Sequence, residues 1–402
     1  MLIGNGGKFS PGSRYSLSSR AKRLAPSQTL ALDARVKALQ LSGAKVINLG
    51  LGEPDFSTPR HIQKAAIAAI EEGFTHYTET AGIVDLRKAI AQKLWRENRI
   101  RYRPNEIAVG VGTKQILYHA FQALCNRGDK VLIPTPTWTT YVEQVRLSGA
   151  TPVFIPLAPP FKLRAADVEK KISRRIKVLL LNSPANPTGA VIEKSELQKI
   201  GRLARAKGFF VVSDEIYEKL LYKGRHCSLA SFGPDVRAQT LTVNGFSKAY
   251  AMTGWRIGYA AGPEWIIRAI VALQSQTTSN APSVAQKAAL DALLGSQEPL
   301  CRMFREFKAR RKFLVNALSR INGIFLTPPE GAFYCFVDVR RLFHGKLRTS
   351  AEWCAQLLRE KNVAVVPGEA FLAPGYVRVS FAASLQELRS AVKRISDFAH
   401  GS

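Results

Sequence analysis

Between residues 104 and 261 the chain repeats one pattern. A short run of Val, Ile and Leu without polar alternation is followed by a longer stretch whose apolar positions recur three and four apart. Short apolar runs bounded by Gly, Pro or Asp read as buried strands, and the longer stretches read as helices. The strands fall at 107–112, 130–134, 152–156, 176–181, 209–213, 240–243 and 256–261, with helices at 114–125, 138–147, 165–172 and 194–207. The Asn244-Gly245 pair predicts the end of the sixth strand. Strands buried on both faces and joined through helices predict an α/β fold with a mainly parallel seven-stranded sheet, flanking helices and right-handed crossovers.

The flanks read differently. Residues 16–45 have helical spacing interrupted at Pro26 and stopped at Gly43, and a short apolar run then leads into Gly50 and Gly52. After a long basic helix at 298–320 come an apolar strand at 331–339, a helix at 351–361 and the run VAVVPGEAFLAPGYVRVSFA. This predicts a smaller α+β domain. A length of 402 residues exceeds what one core usually holds. The expected division is a flexible lead-in at 1–15, a segment at 16–60 packing with the small domain, a large domain at 61–300 and a small domain at 301–402.

Composition narrows the class. The hydrophobic fraction of 46% is ordinary for a globular chain. No apolar run approaches a membrane span, and the N-terminus has no apolar core of a secretory signal. The five cysteines are scattered without a CxxC pair, so neither a disulfide framework nor a zinc site is indicated, and a reducing, cytoplasmic setting is expected. The net charge of +28 could mark a nucleic-acid binder, but Lys and Arg are spread along helix faces with no RGG tract, zinc finger or basic tail. A solvated basic surface that attracts small anions fits better.

Ligands of open α/β sheets bind beyond the carboxyl ends of the strands. Lys248 lies just past the end of one strand, where a neutral amine could condense with an aldehyde, and Arg256 follows as a permanently charged fork for a phosphate. Gly112, Thr113 and Lys114 open a helix after another strand, a natural anion seat. Asn182 and Asn186 follow a third, and Asp214 with Tyr217 a fourth. Each has a plainer reading alone: a surface lysine, a helix cap at Asp214, a turn at Asn186, a core tyrosine. Together they match the phosphate, ring nitrogen, ring oxygen and aldehyde of pyridoxal 5'-phosphate.

The segments SPANPTG, SDEIYEKLLY, GFSKAYAMTGWRIGY and VRVSFA resemble the class I/II aminotransferases of pyridoxal-phosphate fold type I. The likeness runs from about residue 16 to 398 and is closest to the bacterial-type aspartate aminotransferase branch, which includes prephenate aminotransferases. It implies that Lys248 binds the cofactor aldehyde and later acts as the base. Asp214 would pair with the ring nitrogen, and Asn186 and Tyr217 with the ring oxygen. Ser247, Arg256, Gly112, Thr113 and Lys114 would hold the phosphate, and Trp138 would lie on the ring. Arg378 and Gly50 would take the substrate α-carboxylate, and Lys114 with Ser27 and Thr29 the distal one. Tyr77 would reach the phosphate of a partner subunit, which implies a homodimer with shared active sites. No metal is implied. The chain departs from the pattern at Gly245, where many relatives carry serine and a phosphate contact is lost, and at Thr137, where tyrosine is common. Amino transfer between aspartate and 2-oxoglutarate is the leading expectation, with prephenate as an alternative acceptor. A lyase of the same fold and a basic nucleic-acid-binding protein are the competing readings.

Overall fold

The computed structural model describes residues 16–345 and 347–400; the lead-in expected at 1–15 lies outside them. In chain order the strands are β1 (Ile47–Asn48), β2 (Ile107–Gly110), β3 (Lys130–Thr135), β4 (Thr151–Pro156), β5 (Ile176–Asn182), β6 (Phe210–Asp214), β7 (Thr240–Gly245), β8 (Gly258–Ala261), β9 (Phe325–Leu326), β10 (Tyr334–Asp338), β11 (Val363–Ala364), β12 (Val366–Pro367) and β13 (Tyr376–Ser380). Seven of them form one sheet in the order β2-β8-β7-β6-β5-β3-β4. All its pairings are parallel except those of β8, which runs antiparallel to both β2 and β7.

The sheet is covered on both faces, as its apolar strands require. Along β5, Val178 and Leu180 join one cluster with Ile116, Phe121 and Ile270, while Leu179 and Leu181 join another with Leu197 and Ile200. β6 divides the same way, Val212 to the first and Val211 to the second. Near β2 a third cluster fills with alanines, Ala66 from one helix meeting Ala285, Ala288 and Ala292 from another.

The remaining strands build a smaller unit. β12-β13-β10-β9 is antiparallel and packs on a core containing Phe333, Trp353, Leu314 and Phe381. β1 pairs in parallel with β11, and Val36 from the helix Gln28–Leu41 packs against Leu358 and Ala364.

Two features differ from the expectation. Asn244-Gly245 does not end its strand: β7 stays paired through Asn244↔Tyr259 and Gly245↔Gly258. The glycine serves close approach, since a Cβ on Gly245 would lie 2.9 Å from Gly258 Cα. The helices Arg60–Glu71, Val84–Lys93, Glu264–Ser275, Ser283–Leu294 and Leu385–His400 also add to the elements read from the pattern. No helix among the described residues is long and apolar enough to cross a membrane.

Candidate active site

A cavity of about 440 Å³ opens where β5, β6 and β7 end and the smaller unit leans over them. Ser27, Thr29, Gly50, Thr113, Lys114, Trp138, Asn186, Asp214, Tyr217, Ser247, Lys248, Arg256 and Arg378 all line it. Residues 221 positions apart along the chain, Ser27 and Lys248, meet here only because the segment before β1 folds back across the strand ends.

Lys248 Nζ donates to the Gly52 carbonyl at 2.6 Å. Burial pushes its pKa down to about 8, against the pull of Glu53 and Asp214 and with the help of the Arg378 and Arg256 guanidiniums. Roughly one such amine in ten is therefore neutral at pH 7, far more than for an ordinary lysine, and the neutral form is what a nucleophile or base requires.

Asp214 ends β6 and is buried. Its Oδ2 accepts from Tyr141 Oη at 2.7 Å and its Oδ1 from Ile216 N at 3.1 Å. Burial raises its pKa to about 6, and these two donors hold it from rising further. The carboxylate is ionised at neutral pH and faces a cavity rich in cations. Tyr217, on the turn that follows, shares a 2.9 Å hydrogen bond between hydroxyls with Tyr334.

Arg378 sits on β13, opposite Phe336 of β10 and Val366 of β12. Its flanking residues Val377 and Val379 pack into the smaller core, while its guanidinium turns to the cavity. Nη1 donates to Asn186 Oδ1 at 2.9 Å and Nη2 to the Gly50 carbonyl at 2.7 Å. The guanidinium stacks 4.3 Å over the Tyr334 ring and 4.9 Å over the Phe371 ring. Nε is buried without a hydrogen-bond partner among the described residues, a donor left for an anionic ligand. The Gly50 amide itself is engaged by Asn48 Oδ1 at 3.0 Å.

The anion seat lies at the first turn of the helix Gly112–Leu124. Gly112 has φ +75°, and a Cβ there would come 2.7 Å from Arg256 Nη2. Arg256 itself holds φ +53° and donates from Nη1 to the Thr253 carbonyl at 2.8 Å. Backbone N–H groups, the helix dipole, a guanidinium and the Ser247 hydroxyl thus converge on one side of the cavity. Lys114 Nζ stands 4.9 Å over the Trp138 ring, and burial, aided by Arg256, lowers its pKa. Ser27 Oγ and Thr29 Oγ1 lie 3.0 Å apart, although Ser27 also accepts from Leu30 N as the cap of its helix.

Tyr77 is not brought to this cavity; its side chain is 88% exposed elsewhere on the surface. Tyr141, Tyr334 and Asn182, which donates to the Asp214 carbonyl at 3.1 Å, are the supporting groups. Of these, sequence reasoning gave no role to Tyr141 and Tyr334. Tyr141 follows Trp138 by one helical turn, a spacing that could have placed both on one face. For Tyr334 only its place within the apolar strand was visible.

Comparisons with known proteins identify the relatives of this chain. The family described as Aminotransferase class I and II matches residues 44–395. The chain is 44% identical to an aspartate aminotransferase of Bacillus sp. (strain YM-2), over 95% of this chain and 98% of that one. It is 45% identical to a probable aspartate/prephenate aminotransferase of Aquifex aeolicus, with the same coverage of each. A solved structure of the Thermus thermophilus aspartate aminotransferase with maleate superposes with a TM-score of 0.92 at 40% identity, covering 96% of this chain and 100% of that one.

Proposed function

This chain belongs to the class I and II aminotransferase family, and from that premise we propose that it is an aspartate aminotransferase using pyridoxal 5'-phosphate to move the amino group of L-aspartate to 2-oxoglutarate. The observation that carries the reading is one cavity holding an amine with a depressed pKa, Lys248, an ionised buried acid, Asp214, and a buried arginine with a spare donor, Arg378. When bound, pyridoxal phosphate supplies an aldehyde that condenses with amines and a ring that accepts the electrons released at the substrate Cα.

The residues present fit that group. Arg256, Ser247 and the backbone at Gly112 and Thr113 would hold its phosphate. Asp214 would keep the ring nitrogen protonated, and Asn186 and Tyr217 would bond the ring oxygen. Lys248 Nζ, neutral once displaced, takes the Cα proton and holds it for return. Arg378 clamps the substrate α-carboxylate with paired N–H donors. Lys114, beside Ser27 and Thr29, takes the distal carboxylate. Maleate in the Thermus relative is itself a dicarboxylate, which supports this division of labour.

The protein is read further as a cytoplasmic homodimer in which exposed Tyr77 completes the partner's site, with its large domain at 61–300, its small domain at 301–402 and the segment 16–60 packed on the latter. The β1–β11 pairing supports the last point. Prephenate as acceptor is favoured by the Aquifex aeolicus relative, since prephenate also carries two carboxylates. Profiling amino donors against 2-oxoglutarate and prephenate decides the substrate. Pyridoxal-phosphate-saturated protein without transaminase activity on any dicarboxylate would overturn the reading.

A further inference from the structure

Resting on the aminotransferase reading, we propose that Lys93, Glu215, Glu218 and His226 form a buried positioning cluster that holds the Asp214 carboxylate and the Tyr217 phenol in place from behind.

The arrangement follows from how side chains divide along the turn after β6. Asp214, Ile216 and Tyr217 line the cavity; Glu215 and Glu218 do not. Few backbone bonds fix this turn: Glu215 N to the Val243 carbonyl, Glu218 N to the Glu215 carbonyl and Leu220 N to the Tyr217 carbonyl. The two outward carboxylates supply the rest. Glu215 accepts from Ser213 Oγ at 3.0 Å and Ser228 Oγ at 2.5 Å, and lies 2.8 Å from His226 Nε2. Glu218 accepts from Asn98 Nδ2 at 2.7 Å and from the Lys93 ammonium. Lys93 also donates to Asn98 Oδ1 at 2.8 Å, and Asn98 to Ser228 Oγ at 2.8 Å. The network ties the turn to the loop at 226–228 and to the helix Val84–Lys93, whose continuation Leu94–Asn98 is a π-helical turn. Such turns recur near functional sites because they re-aim side chains, and this one presents Asn98.

The charges are matched internally. Glu215 and Glu218 face the Lys93 ammonium and the His226 imidazole, Glu97 also comes 3.7 Å from Lys93 but is paired with Lys219, and with these counted the group is neutral when His226 is protonated. Burial opposes that proton, but Glu215 and Glu218 outweigh it and raise the ring's pKa, with Lys93 opposing. The other titratable groups facing the cluster are Glu97, paired with Lys219 at 2.6 Å, and the phenols of Tyr102, Tyr250 and Tyr259, which burial keeps neutral. Arg237 faces Tyr102. The donor atoms of Glu215, Glu218 and His226 come within 4.8 Å of one another, close enough for a cation, but the Lys93 ammonium already supplies the positive charge there. Buried ion pairs are costly relative to apolar packing. Four charged groups directly behind two site residues are therefore better explained by placement than by stability.

Three variants test this: His226→Gln, which keeps an N–H donor and removes the charge, Glu218→Gln, and the apolar pair Lys93→Met/Glu218→Leu. In protein loaded with pyridoxal phosphate, each is expected to shift the midpoint of the visible-absorbance pH titration by about half a unit or more, because Asp214 and Tyr217 face the cofactor. Misplacement should lower kcat about ten- to a hundredfold with KM for aspartate within about twofold, since Arg378 and Lys114 stand on other elements. The apolar pair should do so while melting no lower than wild type. The apoprotein gives a readout without cofactor. His226 has a folded pKa above its unfolded value, so its stabilisation is complete below about pH 6.5 and lost as pH rises through the folded pKa. His226→Gln should flatten that part of the melting-temperature profile. Variants that melt lower but keep the wild-type spectral midpoint and kcat, or an apolar pair with wild-type kcat, would overturn the proposal. Wild-type protein that takes up no pyridoxal phosphate would instead defeat the aminotransferase reading.

Discussion

Tyr141 donates its hydroxyl proton to Asp214 Oδ2 across 2.7 Å, from the helix Thr139–Leu147 to the end of β6. This bond and the Ile216 amide oppose the burial that raises the Asp214 pKa to about 6. Removing the donor should raise that pKa further, because the charged form loses a partner in a dry site. In Tyr141→Phe the acidic limb of the kcat/KM profile should therefore move to higher pH. A hydrogen bond to a charged group contributes about 1.5–3 kcal/mol, so kcat/KM at pH 7 should fall roughly tenfold or more. An unmoved acidic limb would show that Asp214 does not depend on this phenol.

The pKa of about 8 at Lys248 makes a prediction about loading. At pH 7 roughly one such amine in ten is neutral, against fewer than about one in a thousand for an unperturbed lysine. The rate at which apoprotein captures pyridoxal phosphate should rise with pH and level off above about 8. Stopped-flow absorbance follows this directly. A rate that keeps climbing to pH 10 would mean that the amine is an ordinary one. Lys248→Ala should bind the cofactor only noncovalently and lose transaminase turnover.

How much of this could be read in advance depends on the kind of signal. Asp214 and Lys248 were legible because apolar runs stop abruptly at a polar group, and strand ends are where such folds bind ligands. The Tyr141–Asp214 and Tyr217–Tyr334 bonds join residues 73 and 117 positions apart, and no local pattern announces them. The helix Ser283–Leu294 escaped for a different reason. Ala285, Ala288, Ala289 and Ala292 are all buried, and small residues give little amphipathic contrast. At Gly245 the signal was misleading: Asn-Gly is a strong turn pair, yet the glycine here makes room for β8 and for Thr113 Cγ2, 3.2 Å from a would-be Cβ.

Gly112→Ala should damage the anion seat specifically. The residue holds φ +75°, which costs a residue with a Cβ about 1 kcal/mol, and that Cβ would press on Arg256 Nη2 at 2.7 Å. Displacing the guanidinium weakens phosphate binding, so pyridoxal-phosphate affinity should fall about tenfold or more while pyridoxal, which lacks the phosphate, binds as in wild type. Equal losses for both ligands would point to general unfolding of the site.

Arg378→Lys should separate geometry from charge. Lysine keeps a cation but not the fork that now reaches Asn186 Oδ1 at 2.9 Å and the Gly50 carbonyl at 2.7 Å. Losing bidentate recognition should reduce kcat/KM for every amino acid by about 2 kcal/mol or more, roughly thirtyfold, because all of them carry the α-carboxylate. Lys114→Ala should behave differently. Its ammonium, whose pKa is lowered by burial and then by Arg256, is assigned to the distal carboxylate alone. The variant should lose about 2 kcal/mol of kcat/KM for aspartate and almost none for alanine, which has no second acid. The two ratios, measured on one preparation with 2-oxoglutarate fixed, cross-check each other. If Lys114→Ala left the preference for aspartate over alanine intact, the distal carboxylate would have to be bound by another group. Were Arg378→Lys to hurt aspartate but spare alanine, the two cations would have exchanged roles.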